Sequence, residues 1–206
     1  MRWILMATLL VLPTTLLAGE EGFVPLFDGK SLTGWEGNKK MFRVEDGAIV
    51  AGTLDAKIPH NEFLCTKKSY GDFELRLSVK LEGKGANAGI QFRTKRIPDH
   101  HEVSGFQADM GDGWWGALYD ESRRNKTLAG PKKEEIDKVV KQNDWNDYVI
   151  RAVGPRIQLW VNGVQTVDYT EQDKDIATSG IIAVQIHSGE PAQAYYKDIR
   201  IKTVRP

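Results

Sequence analysis

The stretch "YGDFELRLSVKL" (residues 70–81) alternates apolar and polar side chains along most of its length. Its apolar positions are Phe73, Leu75, Leu77, Val79 and Leu81. Successive side chains of a β-strand point to opposite faces, so this period of two predicts one buried face and one wet face. Such strands are typical of an antiparallel sheet that packs against the core on one side only.

Further strands and tight turns surround this stretch. Residues 42–50 predict a hairpin that turns at Asp46-Gly47, and residues 156–169 predict a second hairpin that turns at Asn162-Gly163. Residues 180–187 and 195–204 predict two more strands. Only "PKKEEIDKVVK" (residues 131–141) resembles a helix, with an early proline and acids in its first turn. The chain is therefore predicted to be all-β, a two-sheet sandwich or jelly roll with one short helix.

The first residues predict export. Met1-Arg2 gives a basic start, residues 3–12 form an apolar run, and small residues at Ala18-Gly19 suit a cleavage site. The apolar run is short for a bilayer span of ~20 residues, which favours a cleaved signal over a membrane anchor. We expect residues 1–18 to be a signal peptide and residues 19–206 to be a single domain. The mature protein is then periplasmic or secreted, without membrane attachment.

Charge and cysteine content exclude several classes of protein. The chain has 28 basic and 28 acidic residues, and no basic patch of the kind that binds nucleic acid. Cys65 is the only cysteine, so an intrachain disulfide is impossible. A single cysteine within an apolar strand favours a buried, inert thiol over a nucleophile. Nothing in the sequence specifies an oligomeric state.

Three of the predicted strands place long polar side chains on the face turned away from the core. In residues 88–93, for example, Ala88, Ile90 and Phe92 point inward. The side chains predicted by this rule to point outward are Gln91, Arg93, Gln107, Asp109, Trp115, Tyr119, Gln185 and His187. Amides, charged groups and aromatic rings together can hydrogen-bond to a sugar and stack on it. If the strands are neighbours, this face is predicted to bind carbohydrate.

Several segments, taken in order, resemble the 3-keto-disaccharide hydrolase domain family, formerly a domain of unknown function. The segments are "PLFDGKSLTGWEG" (25–37), "FRVEDGAIVAG" (42–52), "YGDFELRLSVKL" (70–81), "NAGIQFR" (87–93), "WGALYDE" (115–121), "WNDYVIRAVGPRIQLWVNGVQTVDY" (145–169), "GIIAVQIHSG" (180–189) and "YYKDIRIK" (195–202). The resemblance implies a concanavalin A-like lectin/glucanase jelly roll. It also implies an exported hydrolase that cleaves 3-keto-glycosides.

The central strand departs from the family pattern. Many members resemble Gly-Tyr-Glu-Val-Gln here, whereas this chain has "GFQAD" at residues 105–109. The carboxylate has therefore moved from the position of Gln107 to that of Asp109, along the same face. A conventional glucanase is disfavoured because it needs two carboxylates beside the scissile bond, and this strand offers only Asp109 on its outward face.

The activity implied by the resemblance needs one base, one group that stabilises an enolate, and one proton donor. A ketone at C3 acidifies the hydrogen on C2, and the enolate then expels the glycosidic oxygen from C1 before water adds. His187 is the natural base near neutral pH, with Asp109 as the alternative base or as its orienting partner. Arg93 is expected to stabilise the enolate, and Tyr119 to protonate the leaving oxygen. Trp115 is expected to stack on a sugar ring.

The remaining predictions concern binding. The residues expected to contact substrate are Gln91, Gln107, Trp115, Gln185, Glu121 and Arg123. No cofactor is expected, although His101, Asp109 and His187 offer an alternative divalent metal site if their strands meet. Two other functions remain open: a non-catalytic carbohydrate-binding module that uses the same concave face, and a protein-interaction or envelope domain without a sugar ligand.

Overall fold

The computed structural model describes residues 21–204, and it consists of two antiparallel β-sheets with one short helix. The predicted signal peptide lies outside the described residues. The strand over residues 73–82 has the predicted alternation, because every second side chain along it is buried. Within residues 21–204, no helix is long and apolar enough to span a bilayer. The predicted all-β, two-sheet architecture is confirmed.

The first sheet contains eight strands. Numbered along the chain, they are β1 (Val24–Pro25), β3 (Phe42–Glu45), β4 (Ala48–Thr53), β6 (Phe73–Glu82), β11 (Asn146–Val153), β12 (Arg156–Val161), β13 (Val164–Thr170) and β15 (Ala192–Thr203). Their spatial order is β13-β12-β11-β6-β15-β4-β3, and β1 pairs with β15. Both predicted hairpins are present. Asp46 and Gly47 have φ of 47° and 77°, and Asn162 and Gly163 have φ of 49° and 82°, as two-residue hairpin turns require.

The second sheet contains seven strands. They are β2 (Trp35–Glu36), β5 (Glu62–Tyr70), β7 (Asn87–Arg96), β8 (Val103–Gly111), β9 (Leu118–Glu121), β10 (Lys126–Ala129) and β14 (Gly180–Ile186), in the spatial order β10-β9-β8-β7-β14-β5-β2. The predicted helix is shorter than expected, since α1 covers only Lys133–Ile136. Strands β8, β7 and β14 are neighbours, which is the arrangement that the polar-face prediction required.

The hydrophobic core lies between the two sheets. Tyr148 and Tyr196 from the first sheet and Phe92, Phe106 and Ile90 from the second are among its largest buried side chains. Because these inward residues alternate along β7 and β8 with Gln91, Gln107 and Asp109, the latter three lie on the outer face. Each of the three is nevertheless at most 3% exposed, so this outer face must itself be covered.

Part of this cover is the end of the β7–β8 hairpin, which folds back over the outer face of β5 and β14. Val103 packs in a separate apolar cluster with Phe63, Cys65 and Ala183. Arg96 extends to the last strand of the sheet, where its Nη2 donates to the Glu36 carbonyl at 2.6 Å. Cys65 is fully buried under this hairpin, and burial raises the pKa of its thiol to about 12, in agreement with the predicted inert thiol.

Candidate functional site

The outer face of the second sheet contains a cavity of about 260 Å³. Its lining residues are Asn87, Gln107, Asp109, Trp114, Tyr119, Glu121 and His187. Gln107 and Asp109 project from β8, and Tyr119 and Glu121 project from β9, in each case at alternate positions. His187 follows β14 directly, and its backbone N–H donates to the Asn87 carbonyl at 3.1 Å. Strand alternation and strand order therefore place these side chains around one space.

A chain of amide hydrogen bonds crosses the floor of this cavity. The Nε2 of Gln91 donates to the Oε1 of Gln107, and the Nε2 of Gln107 donates to the Oδ1 of Asp109. Gln107 lies directly over Gly89 of the neighbouring strand, and a Cβ on Gly89 would come within 2.5 Å of the Gln107 Cδ. The glycine is therefore what lets the Gln107 side chain lie flat and reach Asp109.

Gly89→Ala tests this packing. The added methyl group is expected to displace Gln107, to release Asp109 from its hydrogen bond, and to cost about 1–3 kcal/mol of the free energy of unfolding through overpacking. The measurement is urea unfolding together with turnover or ligand binding. Gly71→Ala is the matched control, because a Cβ at Gly71 would meet no atom within 4 Å. Unchanged stability and function in Gly89→Ala would contradict this account of the cavity floor.

Asp109 is a buried carboxyl group. It is 2% exposed, and burial raises its pKa to about 8; a nearby charge on Glu121 adds to the rise, and the hydrogen bond from Gln107 opposes it. The backbone carbonyl of Asp109 accepts a hydrogen bond of 2.7 Å from the Tyr148 hydroxyl, which fixes this part of β8 against the core. At neutral pH, Asp109 is therefore mainly a neutral acid that can donate a hydrogen bond.

Glu121 is the second acid of the cavity. It is 9% exposed, and burial raises its pKa to about 7, with a further rise caused by the charge of Glu102. Glu102 belongs to the connection between β7 and β8, so the folded-over hairpin supplies this charge. The Gln185 Nε2 donates to the Glu121 Oε2 at 3.4 Å. Glu121 is therefore poised to exchange a proton near neutral pH.

His187 and Tyr119 provide the other two functional groups. The Nδ1 of His187 lies 2.7 Å from the Ser188 carbonyl oxygen, which can only accept. In the neutral ring, Nδ1 therefore holds the hydrogen and Nε2 has the lone pair, and this tautomer presents Nε2 as a base. The Tyr119 ring meets the Trp114 ring edge-to-face, with centroids 6.3 Å apart. Burial, together with the charges of Glu121 and Asp109, raises the pKa of Tyr119, so its hydroxyl keeps its proton.

The prediction for Trp115 is wrong. Trp115 is 5% exposed and packs in the core near Tyr148, whereas Trp114 is 43% exposed and lines the cavity. Alternation failed because the chain turns here. The backbone N–H groups of Trp114 and Trp115 both donate to the Gly111 carbonyl, as in a helical turn rather than a strand. The two adjacent tryptophans in the sequence indicated that an aromatic ring lines the site. They did not indicate which of the two rings does so.

Arg93 also lies away from the cavity, contrary to prediction. It has φ of 47° at an irregularity in the β7–β8 pairing, so its side chain leaves the face that Gln91 shares. Its guanidinium donates to the Asp72 carboxylate at 2.8 Å and to the Gly154 carbonyl at 2.6 Å. Arg93 is 3% exposed and ties the end of the second sheet to two turns of the first.

Arg93→Met is expected to lower the free energy of unfolding by about 3 kcal/mol, because it leaves the Asp72 carboxylate and the Gly154 carbonyl without their charged donor. Ligand binding in this cavity, per folded molecule, should be unchanged, since Arg93 does not line it. Arg96→Met is the control. Its partner Glu36 and its own side chain are 50% and 37% exposed, so at most ~1 kcal/mol should be lost. If Arg93→Met lost ligand binding but not stability, Arg93 would have to contribute to the site directly.

Three other residues that were predicted to contact substrate, Gln91, Gln185 and Arg123, do not line the cavity. Gln91 and Gln185 are fully buried behind it and support Gln107 and Glu121, respectively. Arg123 does not line this cavity. Its Nε donates to the fully buried Asp120 at 2.8 Å, and its guanidinium lies over the Phe106 ring, 4.6 Å from the centroid.

His101 belongs to a separate cluster. Its ring stacks on His60 and His100, with centroids 4.3 and 4.4 Å away, and its Nδ1 lies 3.1 Å from the Asn61 carbonyl. Among residues 21–204, no group of three or more His, Cys, Asp or Glu side chains is arranged to hold a metal ion. The proposed set of His101, Asp109 and His187 is therefore not assembled in this structure.

The sequence matches a family model over residues 22–202, and the model describes a 3-keto-alpha-glucoside-1,2-lyase-like domain. The chain belongs to this family. The match covers nearly all of the described residues, so both sheets and the whole cavity lie inside the family domain. No curated protein sequence resembles the chain at a significant level.

Solved structures agree with this family assignment at the level of the fold. A candidate glycosyl hydrolase from Parabacteroides distasonis is 20% identical with a TM-score of 0.67, over 90% of this chain and 95% of that one. A carbohydrate-binding module from Bacillus subtilis is 13% identical with a TM-score of 0.65, over 82% and 96%. A Bacillus subtilis protein with a galectin-like fold is 11% identical with a TM-score of 0.64, over 89% and 96%. The predicted jelly roll is confirmed.

Proposed function

We propose that this family member is an exported enzyme that cleaves 3-keto-glycosides by proton abstraction at C2, elimination and hydration. The observation that supports the proposal most strongly is the cavity itself. It brings together an imidazole with a free Nε2, a buried neutral acid and a tyrosine hydroxyl, in His187, Asp109 and Tyr119. These are the three functions that the reaction needs.

In the first step, Nε2 of His187 takes the proton from C2 of the 3-keto sugar, and the electron pair moves to the ketone oxygen. The protonated Asp109 donates a hydrogen bond to this developing enolate. Gln107 already donates to Oδ1 of Asp109, so Oδ2 is the oxygen that presents the proton. A carboxylic acid kept neutral by burial is an effective donor to an enolate, and in this role it replaces the arginine expected from the sequence.

In the second step, the enolate re-forms the ketone and expels the glycosidic oxygen from C1, which takes a proton from the Tyr119 hydroxyl. The product is an enolone with a double bond between C1 and C2. Water then adds at C1 and C2 regains a proton from the His187 imidazolium, while a proton from the added water restores the Tyr119 hydroxyl. The net reaction is hydrolysis, and each proton is returned.

Substrate contacts are assigned to the remaining groups of the lining. The exposed Trp114 ring offers a stacking surface for the sugar, and Gln107 and Glu121 offer hydrogen-bonding partners for hydroxyl groups. No cofactor enters these steps. A requirement for a divalent metal is tested by adding metal or chelator to the assay. Export, predicted from residues 1–18, remains part of this proposal.

The test is incubation with 3-keto-trehalose or a 3-keto-glucoside in D2O, with added divalent metal and with chelator. The Nε2 proton of the His187 imidazolium exchanges with D2O before it returns to C2, so we expect release of 3-keto-glucose containing deuterium at C2. The unoxidised glucosides should not react, because they lack an acidic C2 hydrogen. Release without deuterium, or equal cleavage of the unoxidised sugar, would instead indicate direct hydrolysis by the two carboxyl groups Asp109 and Glu121. No release in any arm would overturn the enzymatic proposal for these sugars.

A second candidate function is a non-catalytic carbohydrate-binding module. An exposed tryptophan beside a row of amides is sufficient for binding, and one structural neighbour is itself a carbohydrate-binding module. Both functions predict sugar binding that is weakened by Trp114→Ala. Only the enzyme predicts deuterium at C2, so binding without exchange in the same D2O experiment would favour the module.

A further inference from the structure

A second cavity, of about 630 Å³, lies where β5, β7 and β14 meet the loop before β14. It is larger than the candidate active site and falls within the roughly 300–1,000 Å³ typical of ligand sites. The two cavities are adjacent along β9 and the turn after it, because Glu121 lines the first, and Ser122 and Arg123 line the second. The turn after β9 therefore borders both cavities.

The folded-over end of the β7–β8 hairpin helps to form the second cavity. Thr94, Lys95 and Arg96 at the end of β7 line it, together with Ser69 of β5 and Ile181 of β14. Pairing between β7 and β8 shifts register between Phe92 and Lys95, and this irregularity turns the hairpin over the sheet. Strands β5, β7 and β14 thus form one side of the cavity, and the loop before β14 contributes further lining residues.

Hydrogen-bond donors that no other group satisfies are concentrated in this lining. Lys67 and Lys95 are exposed, and their side chains form no ion pair or hydrogen bond with the residues that the structure describes. Thr94 is 2% exposed, and its hydroxyl oxygen has no partner among those residues. Ser69 and Ser104 add two further hydroxyl groups. Ammonium and hydroxyl groups together favour a ligand that accepts hydrogen bonds and has a negative charge.

The acidic side chains of the lining cancel only part of this charge. Glu36 is bound by the Arg96 Nε at 3.0 Å, and Asp175 is the only other acid among the described lining residues. The two remaining arginines of the lining are neutralised from outside it, Arg93 by Asp72 and Arg123 by Asp120. Lys67 and Lys95 therefore exceed the remaining acid, Asp175, by one positive charge.

We propose that this second cavity binds an oxyanion attached to a sugar, a carboxylate or a sulfate ester, on the part of the glycan that extends beyond the first cavity. The sugar component of the ligand rests on the proposed function, whereas the oxyanion component rests on the lining alone. The substrate class then narrows from glycosides in general to acidic glycans. Lys67 and Lys95 favour ligands with a negative charge. The first cavity binds the sugar ring that reacts.

The test compares methyl glucuronide, glucose 6-sulfate, methyl glucoside and inorganic sulfate, titrated against the chain by NMR. The glucuronide and the 6-sulfate are expected to shift the backbone amides of Thr94 and Ile181, and added salt should weaken both. Lys67→Gln and Lys95→Gln should each weaken the binding about threefold, the size expected for an exposed charge pair. The double variant should weaken it about tenfold, and Lys84→Gln, which removes an exposed lysine outside this lining, should have no effect.

The opposite results would overturn either the oxyanion component or the sugar component of the proposal. Equal binding of the glucuronide and the glucoside, or unchanged affinity in the double variant, overturns the oxyanion. Inorganic sulfate binding as tightly as glucose 6-sulfate overturns the sugar component. These titrations need no turnover of a 3-keto sugar. The proposed function can therefore fail while this site stands, and this site can fail while 3-keto-glycosides are still cleaved.

Discussion

Replacing Asp109 by asparagine is expected to stabilise the protein at pH 8 and to have little effect at pH 4. Burial raises the pKa of Asp109 in the folded protein to about 8, whereas an unfolded chain has the ordinary aspartate value of ~3.9. Between these values the folded state holds a proton that the unfolded state has lost. The stability contributed by this group therefore falls as pH rises from about 4 to about 8. Asparagine fills the same space and has no proton to lose.

The stability difference between Asp109→Asn and the unmodified protein should grow with pH and level off above about pH 8. Each unit of pKa shift corresponds to ~1.4 kcal/mol, so the plateau is on the order of several kcal/mol. The measurement is urea unfolding at a series of pH values. Asp112→Asn is the control with the opposite sign, because the hydrogen bond and charge of Lys133 lower the pKa of Asp112. Parallel stability curves for Asp109→Asn and the unmodified protein would contradict a raised pKa at Asp109.

The same variant tests the catalytic role of the Asp109 proton. Activity of the unmodified protein should fall above about pH 8, where Asp109 loses the hydrogen that it donates to the enolate. The introduced asparagine side chain would still accept from Gln107 at its oxygen and donate from its nitrogen at any pH. Asp109→Asn should therefore keep part of the activity and lose this alkaline fall. A variant that is inactive at every pH would indicate that Asp109 acts instead as the base.

Sequence periodicity was sufficient for the fold because several long strands of the first sheet, β6, β11, β12 and β15, are buried on one face only. The alternation of residues 73–82 and the paired positive φ values at Asn162 and Gly163 follow from local rules that no distant contact overrides. The same rule placed Gln107, Asp109 and Tyr119 on one face correctly. Strand alternation also predicted which strands contribute side chains to the site, provided that β8, β7 and β14 are neighbours.

The rule failed where the backbone leaves the strand. Trp115 follows a turn at Gly111, and Arg93 sits at a register shift with φ of 47°, and each shift moves a side chain to the opposite face. The cover over the outer face was not predictable for a different reason. It depends on the β7–β8 hairpin folding over β14 and β5, a contact between distant segments. Part of the raised pKa of Glu121 comes from Glu102 in that hairpin, so residue type alone cannot reveal it.

His187→Asn is expected to produce the largest loss of activity of any single change in the cavity. The asparagine amide can place its N–H where Nδ1 of the imidazole donates to the Ser188 carbonyl, so the local structure should remain. Nothing then occupies the position of Nε2. Loss of a general base typically costs about 10²–10⁴-fold in rate, and kcat for 3-keto-glycosides should fall by that factor with little change in unfolding.

Deuterium exchange at C2 separates His187 from the competing base. If Nε2 abstracts the proton, His187→Asn abolishes exchange from D2O into the 3-keto sugar, and Asp109→Asn preserves a measurable part of it. If Asp109 is the base, the two variants give the reverse result. His60→Asn is the matched control, because His60 stacks on His101 and does not line the cavity. At pH 7 a carboxyl group with a pKa of about 8 is mostly protonated, and we therefore expect His187 to be the base.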